Sequence, residues 1–156
     1  MAVNYGKKWE AKVKEDFAKL PNSTVDRIYD VTIGRKSISN ISDHIGYVYP
    51  NIFYLEVKSI HGNTFPLTNL TQYDKLVEKV GIPGVRAGVI LWYIDHQKVV
   101  YVPISTVTKL KEDQKKSVNV KMIGGEEYNL IPIPIKISRV FPTADYSVLL
   151  NLKDGE

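Results

Sequence analysis

Two acidic residues and a lysine within one short segment have types and spacings that can support chemistry. The segment 42–58 reads SDHIGYVYPNIFYLEVK and contains Asp43, Glu56 and Lys58. Side chains alternate between the two faces of a β-strand, so Glu56 and Lys58 share a face with Cα atoms about 6.6 Å apart. Two carboxylates beside an ammonium group can hold a divalent cation next to a phosphate.

The turn between these residues decides whether Asp43 joins the other two. A turn centred on Pro50 and Asn51 predicts that Asp43 lies opposite Lys58 and diagonal to Glu56. Any loop of even length keeps Asp43 on the same face as Glu56 and Lys58, whereas an odd length moves it to the other face. We therefore expect a hairpin that gathers two acids and one lysine.

The coordination chemistry of Mg²⁺ explains these residue types. Mg²⁺ prefers oxygen ligands and retains several waters, so the carboxylates of Asp43 and Glu56, with the Val57 carbonyl, are the predicted ligands. A bound metal ion lowers the pKa of a coordinated water and shields charge on a phosphate. Lys58 can then hold the attacking water or stabilise the charge that develops on the phosphate.

Composition limits the alternatives. The chain has 156 residues, 44% of them hydrophobic and 24% charged, which predicts one soluble domain with its own core. It contains no cysteine, so disulfides and thiolate metal sites are excluded. Its net charge of +4 is compatible with a polyanionic partner but does not require one. There is no apolar signal core at the start and no run of about 20 apolar residues, so we expect a cytoplasmic protein.

The first element expected to position the site is a helix over residues 5–20, with an apolar stripe that Pro21 ends. Glu10 borders this stripe, and two interpretations of it are open. It is either a first-turn acid that the helix dipole favours and that pairs with Lys14, or a carboxylate that reaches into the site from a docked helix.

A strand is expected over residues 24–31, and the polar, basic segment 32–41 after it predicts a loop or a protruding hairpin. Arg35 and Lys36 in this segment either meet DNA phosphates or form a solvated turn.

The segment that follows the ExK strand predicts a loop over residues 59–69 and then a helix. The helix is expected to begin at a cap at residue 68 or 69 and to close at Gly81. Gln72 falls in its first turn and is either an exposed glutamine or a residue that approaches the hairpin. His61 in the loop is either a ligand or base, or has neither role.

The remaining chain predicts a strand-rich continuation of one sheet. The expected elements are buried strands over 85–94 and 98–103, a short helix capped by Ser105, an edge strand over 128–140 with an isoleucine face, and a last strand over 146–152. We therefore predict a single α/β domain over 1–156, with a mixed central β-sheet flanked by helices, a motif-bearing core of about 4–110 and a C-terminal extension of about 117–156.

Four segments together resemble a known enzyme family. The Asp43 and Glu56-Val57-Lys58 pattern resembles the PD-(D/E)xK nuclease motif, with Ser42 where the motif has proline. Within that superfamily the chain is most similar to RecU-type Holliday-junction resolvases, particularly phage-encoded ones. The segments that carry the resemblance are NYGKKWE at 4–10, SDHIGY at 42–47, LEVKS at 55–59 and FPLTNLTQY at 65–73.

The resemblance implies a restriction-endonuclease-like fold and a homodimeric endonuclease that resolves four-way DNA junctions by paired symmetric nicks. It implies that Asp43 and Glu56 bind Mg²⁺ or Mn²⁺ and that Lys58 is catalytic. Gln72 would position the water or the phosphate, and Glu10 would complete the site from the N-terminal helix. If the chain is phage-encoded, its location is the host-cell cytoplasm.

The same resemblance assigns basic residues to DNA contact and leaves alternatives open. Asn4-Tyr5-Gly6 stands where the family has Asn-Arg-Gly, and the family's stalk corresponds to the short segment 32–42. The residues expected to contact DNA are Lys7, Lys8, Arg27, Arg35 and Lys36. A restriction-like or repair endonuclease of the same superfamily is the second hypothesis, and a non-catalytic DNA-binding protein with this fold is the third.

Overall fold

The computed structural model describes residues 4–153 and 155–156. Its α-helices are α1 (Tyr5–Phe17), α2 (Tyr73–Val77) and α3 (Ile104–Glu112). The strands in chain order are β1 (Ser23–Arg27), β2 (Val31–Ile33), β3 (Lys36–Ile38), β4 (His44–Val48), β5 (Asn51–Ile60), β6 (Thr64–Pro66), β7 (Val85–Tyr93), β8 (Lys98–Pro103), β9 (Ser117–Asn119), β10 (Ile131–Ile133), β11 (Ile135–Ser138) and β12 (Phe141–Ala144). Short 3₁₀ helices cover Leu67–Asn69, Ile94–His96, Val120–Met122 and Tyr146–Asn151.

A six-stranded mixed sheet with the order β1-β4-β5-β7-β8-β10 forms the centre of the fold. β5 and β7 pair in parallel, and the other neighbouring strands pair antiparallel. The apolar run predicted as a strand is β7, which is buried from residue 87 to residue 93 because both of its faces are covered. Helices pack on both faces of the sheet, and the predicted α/β fold class is confirmed.

Helix α1 covers one face of the sheet with the predicted apolar stripe of Trp9, Val13 and Phe17, all of them buried. Gly46 on β4 permits the close approach, because a Cβ atom at this position would lie only 2.9 Å from Cζ of Phe17. The helix ends at Phe17 rather than at residue 20, since the Leu20 amide donates to the Phe17 carbonyl in a tight turn. The stripe therefore fixes α1 over β4 and β5.

The other face is covered by α2 and α3, which bury Leu76 and Leu110 against β7 and β8. The helix expected from residue 68 or 69 to Gly81 is wrong in its extent, because only Tyr73–Val77 is α-helical. The preceding residues are held elsewhere, since β6 pairs with β9 and the Leu67 amide donates to the carbonyl of Lys116. Gly81 has the expected positive φ of 87°.

The C-terminal part differs most from the predicted strands. The expected edge strand over 128–140 is interrupted at Pro134, whose carbonyl accepts from the Asp145 amide. Only β10 joins the main sheet, as an edge strand beside β8, while β11 pairs with β12. Ile133 is buried but Ile137 is 40% exposed, so the isoleucine face is split between the core and the surface. The last strand expected over 146–152 is instead a 3₁₀ helix, begun by an Asp145 side chain that accepts from the Ser147 amide.

Two smaller expectations concern α3 and the basic segment. Ser105 does not cap α3, since Pro103 precedes the helix and Ser105 lies within it, donating to the Gly155 carbonyl. The segment predicted as a loop or protruding hairpin is a hairpin, formed by β2 and β3. No helix in the described ranges is long and apolar enough to cross a membrane.

Candidate active site

The β4–β5 hairpin brings the predicted acids together, in a register two residues from the predicted one. His44 pairs with Leu55, so the next residue along, Asp43, faces Glu56 across the hairpin. The Asp43 amide donates to Oε1 of Glu56 at 2.9 Å. Lys58 is therefore the diagonal neighbour of Asp43, and Glu56 is the direct one.

The turn explains this difference. Val48 pairs with Asn51, which leaves Tyr49 and Pro50 at the centre of a two-residue loop. The Tyr49–Pro50 peptide bond is cis, the form that proline takes at the second central position of a turn, whereas the prediction placed Pro50 at the first. The loop length is even in both cases. The predicted face is therefore confirmed and the predicted register is wrong.

The three side chains meet at a partly open site. Nζ of Lys58 lies 3.3 Å from Oε2 of Glu56 and 3.8 Å from Oδ2 of Asp43. The Glu56 side chain is fully buried, whereas Asp43 and Lys58 keep 23% and 29% of their side-chain surface exposed. A ligand can therefore reach Asp43 and Lys58 from solvent, with Glu56 forming the floor of the site.

Burial makes Glu56 an unusual carboxyl group. Burial, together with the adjacent Asp43 carboxylate, raises the pKa of Glu56 to about 8, and the Lys58 ammonium group opposes this shift only in part. Oε2 of Glu56 is at ion-pair distance from Lys58 but has no hydrogen bond to any residue in the described part of the chain. Burying a charged carboxylate is costly, and leaving one of its oxygens without a hydrogen bond is costly too. A cation bound to that oxygen would remove both costs.

The donor set fits a hard divalent cation. Asp43 and Glu56 supply carboxylate oxygens on one face of the hairpin. Within residues 4–153 and 155–156, no group of three or more His, Cys, Asp or Glu side chains could hold a metal ion. Two carboxylates leave positions for a backbone carbonyl and water, which is the pattern that Mg²⁺ accepts. The Val57 carbonyl, on the central strand between the two site residues, remains the predicted third oxygen.

Helix α1 anchors the strand that carries the site. Nε1 of the buried Trp9 donates to the backbone carbonyl of Lys58 at 3.1 Å. Val57, between the two polar residues of β5, points into the α1 side of the core. These contacts hold the backbone of Glu56 and Lys58 in place from the opposite face.

Strand alternation places the site on the face covered by α2 and α3. Tyr54 and Ile60 on β5 pack into the core on that side, and Glu56 and Lys58 share their parity. Gln72 immediately precedes α2 and is half-buried, and its Oε1 accepts a hydrogen bond from Thr71 Oγ1 at 2.7 Å. Gln72 thus belongs to an element on the same side of the sheet, and its role at the site stays a prediction.

Glu10 is not part of this group. Its carboxylate pairs with the guanidinium of Arg27 on β1, rather than with Lys14. Glu10, Asp43 and Glu56 do not form a three-acid cluster. The α1 face carries Glu10, whereas alternation puts the other two acids on the opposite face. The pairing with Arg27 replaces the expected pairing with Lys14, and a role of Glu10 at the site stays a prediction.

The basic residues expected to contact DNA are spread over two regions. Lys7 and Lys8 are exposed on α1, and Arg27 is half-buried on β1. Arg35 and Lys36 are exposed at the end of the β2–β3 hairpin. The hairpin leaves the sheet between β1 and β4, next to Asp43, so its base adjoins the candidate site.

Other side chains near the site have identifiable partners. His61, in the loop after β5, places Nδ1 2.9 Å from Oδ1 of Asp95, and Oδ2 of Asp95 accepts a hydrogen bond from the Gly62 amide. Lys75 on α2 donates to the carbonyl and hydroxyl oxygens of Ser39, each at 2.6 Å. Lys75 therefore joins α2 to the base of the β2–β3 hairpin, a contact that the sequence did not indicate.

His44 is the residue near the site that sequence reasoning missed. It follows Asp43 directly, is 1% exposed, and its Nδ1 has no hydrogen bond to any of the described residues. Burial lowers the pKa of His44 to about 4. The sequence did contain a signal for His44. If Asp43 faces the site in an extended segment, the next residue must point to the opposite face of the sheet.

Comparison with known proteins finds solved structures of similar fold. No family profile and no curated protein matches the sequence. The fold is similar to the solved structure of Hjc from Archaeoglobus fulgidus, a Holliday junction resolvase from an archaeal hyperthermophile, with a TM-score of 0.53 and 14% sequence identity. The similarity covers 74% of this chain and 89% of that chain. The chain therefore has the restriction-endonuclease-like α/β fold that its motifs predicted.

Proposed function

We propose that this protein is a metal-dependent DNA endonuclease that resolves four-way junctions as a homodimer. The observation that carries the proposal is the geometry of Glu56, a buried carboxyl group with an unsatisfied oxygen beside Asp43 and Lys58. A fold shared with a Holliday junction resolvase supports the substrate class.

The cofactor in this proposal is Mg²⁺, with Mn²⁺ as a substitute. Asp43 and Glu56 would hold it with their carboxylates and Val57 with its carbonyl oxygen. When bound, such an ion activates a water molecule and shields the charge of a phosphodiester. The donor set and the raised pKa of Glu56 are the features of this chain that favour a cation at this place.

Lys58 and Gln72 have separate tasks in the proposed reaction. The Lys58 ammonium group is partly exposed and lies within 4 Å of both carboxylates, where it can stabilise negative charge on the phosphate during cleavage. Gln72, at the start of a helix on the same face, can orient the water or a phosphate oxygen through its amide.

A homodimer suits this substrate, because a four-way junction needs two symmetric cuts and a two-fold assembly supplies two equivalent sites. The β2–β3 hairpin would contact the DNA beside each site. Its exposed Arg35 and Lys36 can neutralise phosphates, and their contribution is expected to weaken with salt.

Cleavage of a synthetic four-way junction tests the proposal. The wild-type protein with Mg²⁺ is expected to give paired, symmetric nicks, and Asp43→Asn is expected to abolish them. Asp26→Asn is the matched control, since Asp26 is an exposed aspartate on β1 outside the site. Its cleavage rate should equal that of the wild type.

The other hypotheses are outcomes of the same assay. Equal cleavage of linear duplex and junction would remove the resolvase assignment and leave a restriction-like or repair endonuclease. Salt-dependent binding of the junction with no cleavage under Mg²⁺ or Mn²⁺ would leave a non-catalytic DNA-binding protein.

A further inference from the structure

A second cleft lies on the α1 face of the sheet, opposite the candidate metal site. It has a volume of about 490 Å³. Its lining includes side chains from three elements and the loop after β1, which are Lys7, Glu10, Lys14, Arg27, Tyr29 and His44. We call it the α1-face cleft.

The charge of the α1-face cleft favours an anion. Lys7, Lys14 and Arg27 contribute three positive charges, and Glu10 contributes one negative charge. Lys7 and Lys14 are seven residues apart on α1, so they project from the same side of the helix, and both are exposed. Their ammonium groups are therefore available to a ligand.

Arg27 has two partners within this cleft. Its guanidinium pairs with Glu10 from α1, and the guanidinium carbon lies 5.2 Å from the centre of the Tyr29 ring. A guanidinium carries five N–H donors, and the pairing with one carboxylate leaves some of them for a ligand. Glu10 thus orients Arg27, which is an arrangement for recognising oxyanions.

His44 supplies the independent sign that a polar ligand belongs here. Its ring lines the cleft although the residue is 1% exposed, and its Nδ1 has no hydrogen-bond partner among the described residues. A buried imidazole without hydrogen bonds is costly, and a ligand oxygen in the cleft would offer the ring a partner. Residues that served packing alone would favour an apolar side chain at this position.

We propose that the α1-face cleft binds a phosphodiester group of the DNA, with Arg27, Lys7 and Lys14 as contacts and Glu10 as a positioning residue for Arg27. This inference rests on the proposed function, since it takes DNA as the substrate. Asp43 immediately precedes β4 and donates its amide to Glu56 at the metal site, whereas His44, the first residue of β4, lines the cleft. A DNA strand that passes this end of β4 would place one phosphate at the metal site and another in the cleft.

Binding of a four-way junction without divalent metal tests the inference separately from cleavage. The dissociation constant would be measured at several salt concentrations for the full-length wild type, Lys14→Gln and Lys115→Gln. Lys115 is an exposed lysine just after α3, on the other side of the sheet, and serves as the matched control. Each phosphate contact contributes about 0.9 to the slope of log K against log salt concentration, so Lys14→Gln should lower the slope by about that amount. Lys115→Gln should leave it unchanged.

Equal slopes for Lys14→Gln and the wild type would overturn the inference, and if cleavage persisted the nuclease proposal would stand alone. A lowered slope in a protein that never cuts DNA would overturn the nuclease proposal and leave the cleft as a DNA contact. Inorganic phosphate distinguishes a cleft that binds DNA phosphates from one that binds a free anion. If it raises the melting temperature of the wild type but not of Lys14→Gln, while the DNA slopes stay equal, the cleft is a free-anion site and the inference fails.

The positioning role of Glu10 has its own readout. Glu10→Gln should weaken junction binding several-fold while the stabilisation of the protein by Mg²⁺ remains, because the change affects Arg27 and not the metal ligands. Loss of the Mg²⁺-induced rise in melting temperature would show that Glu10 serves the metal site, and the positioning role would be abandoned. Arg27→Lys is the companion variant, since it keeps the charge and removes the planar fork.

Discussion

The two faces of the sheet at the end of β4 hold opposite kinds of polar site. On the α2 and α3 side, Asp43 and Glu56 crowd two carboxyl groups around one lysine, and the pKa of Glu56 rises to about 8. On the α1 side, a single acid, Glu10, is paired with Arg27 among basic neighbours. The first arrangement is short of positive charge and the second has an excess. One strand end therefore carries the proposed cation site on one face and the proposed anion site on the other.

This contrast predicts different effects for the same change of charge on the two faces. Lys58→Gln should lower the rate of junction cleavage by about 10²–10³-fold, because a charge that stabilises the transition state is lost. Single-turnover kinetics with saturating enzyme measure this rate without interference from binding. Lys14→Gln, tested in the same assay at saturation, should change the rate little and the affinity more. If both variants changed only affinity, the division between the faces would be wrong.

The acids offer a second comparison. Glu56→Gln should raise the free energy of unfolding of the metal-free protein at pH 8 by a few kcal/mol, since one pKa unit corresponds to about 1.4 kcal/mol. The raised pKa means that the folded protein holds a proton that the unfolded chain loses above the usual value of 4.5. Wild-type stability should thus fall as pH rises from 4.5 to about 8 and level off above it.

Urea denaturation across this pH range measures the difference between the two proteins. Glu56→Gln should flatten the slope between pH 4.5 and about 8, and the two stabilities should converge near pH 4. An unchanged slope in the variant would show that Glu56 is not the group whose pKa is raised.

Glu10→Gln should have the opposite sign and a smaller size. Glu10 and Arg27 keep 19% and 32% of their side-chain surface exposed, so their pairing is partly screened by water. Removing the carboxylate should lower the free energy of unfolding by about 1 kcal/mol. The same urea experiment at pH 8 checks it. A stabilising effect would mean that the folded protein disfavours the charged form of Glu10, as it does that of Glu56.

A further effect of similar size concerns the contact between α1 and the strand that carries the candidate site. Trp9→Phe removes the hydrogen bond from Nε1 to the Lys58 carbonyl and keeps most of the buried ring. The expected loss of stability is about 1 kcal/mol, together with a modest fall in the cleavage rate as the backbone at Lys58 loosens. Trp92→Phe is the matched control, since Nε1 of Trp92 is buried without a hydrogen bond to any residue that the structure describes. An equal fall in cleavage rate in both variants would assign the effect to packing.

Sequence reasoning placed the candidate site residues on one face but did not give their register. Because side chains alternate between the two faces of a strand, counting residues placed Asp43, Glu56 and Lys58 on one face for any turn with an even number of residues. The register depended on the position of Pro50 within the turn, where two proline geometries compete. Local rules could not choose between them.

Tertiary contacts explain the other differences from the predicted elements. The helix expected before Gly81 was shortened because β6 recruits the preceding chain to a distant partner, β9. The strand expected over 128–140 was broken because Pro134 bonds to Asp145 instead of continuing along β8. The pairing of Glu10 with Arg27 was not predicted, because a helical stripe shows which face is buried but not which strand residue lies beneath it. His44 was missed although the alternation of side chains along the predicted hairpin was a usable signal.

Calorimetry of Mg²⁺ binding at pH 7 tests the central claim most directly. With its pKa near 8, Glu56 is mostly protonated at this pH, and a cation bound by its carboxylate must displace that proton. Titrations in buffers of different ionisation enthalpy should show release of close to one proton per Mg²⁺ bound by the wild type, and Asp43→Asn should bind far more weakly. Mg²⁺ binding without proton release, or with equal affinity in Asp43→Asn, would contradict a metal site formed by Asp43 and Glu56.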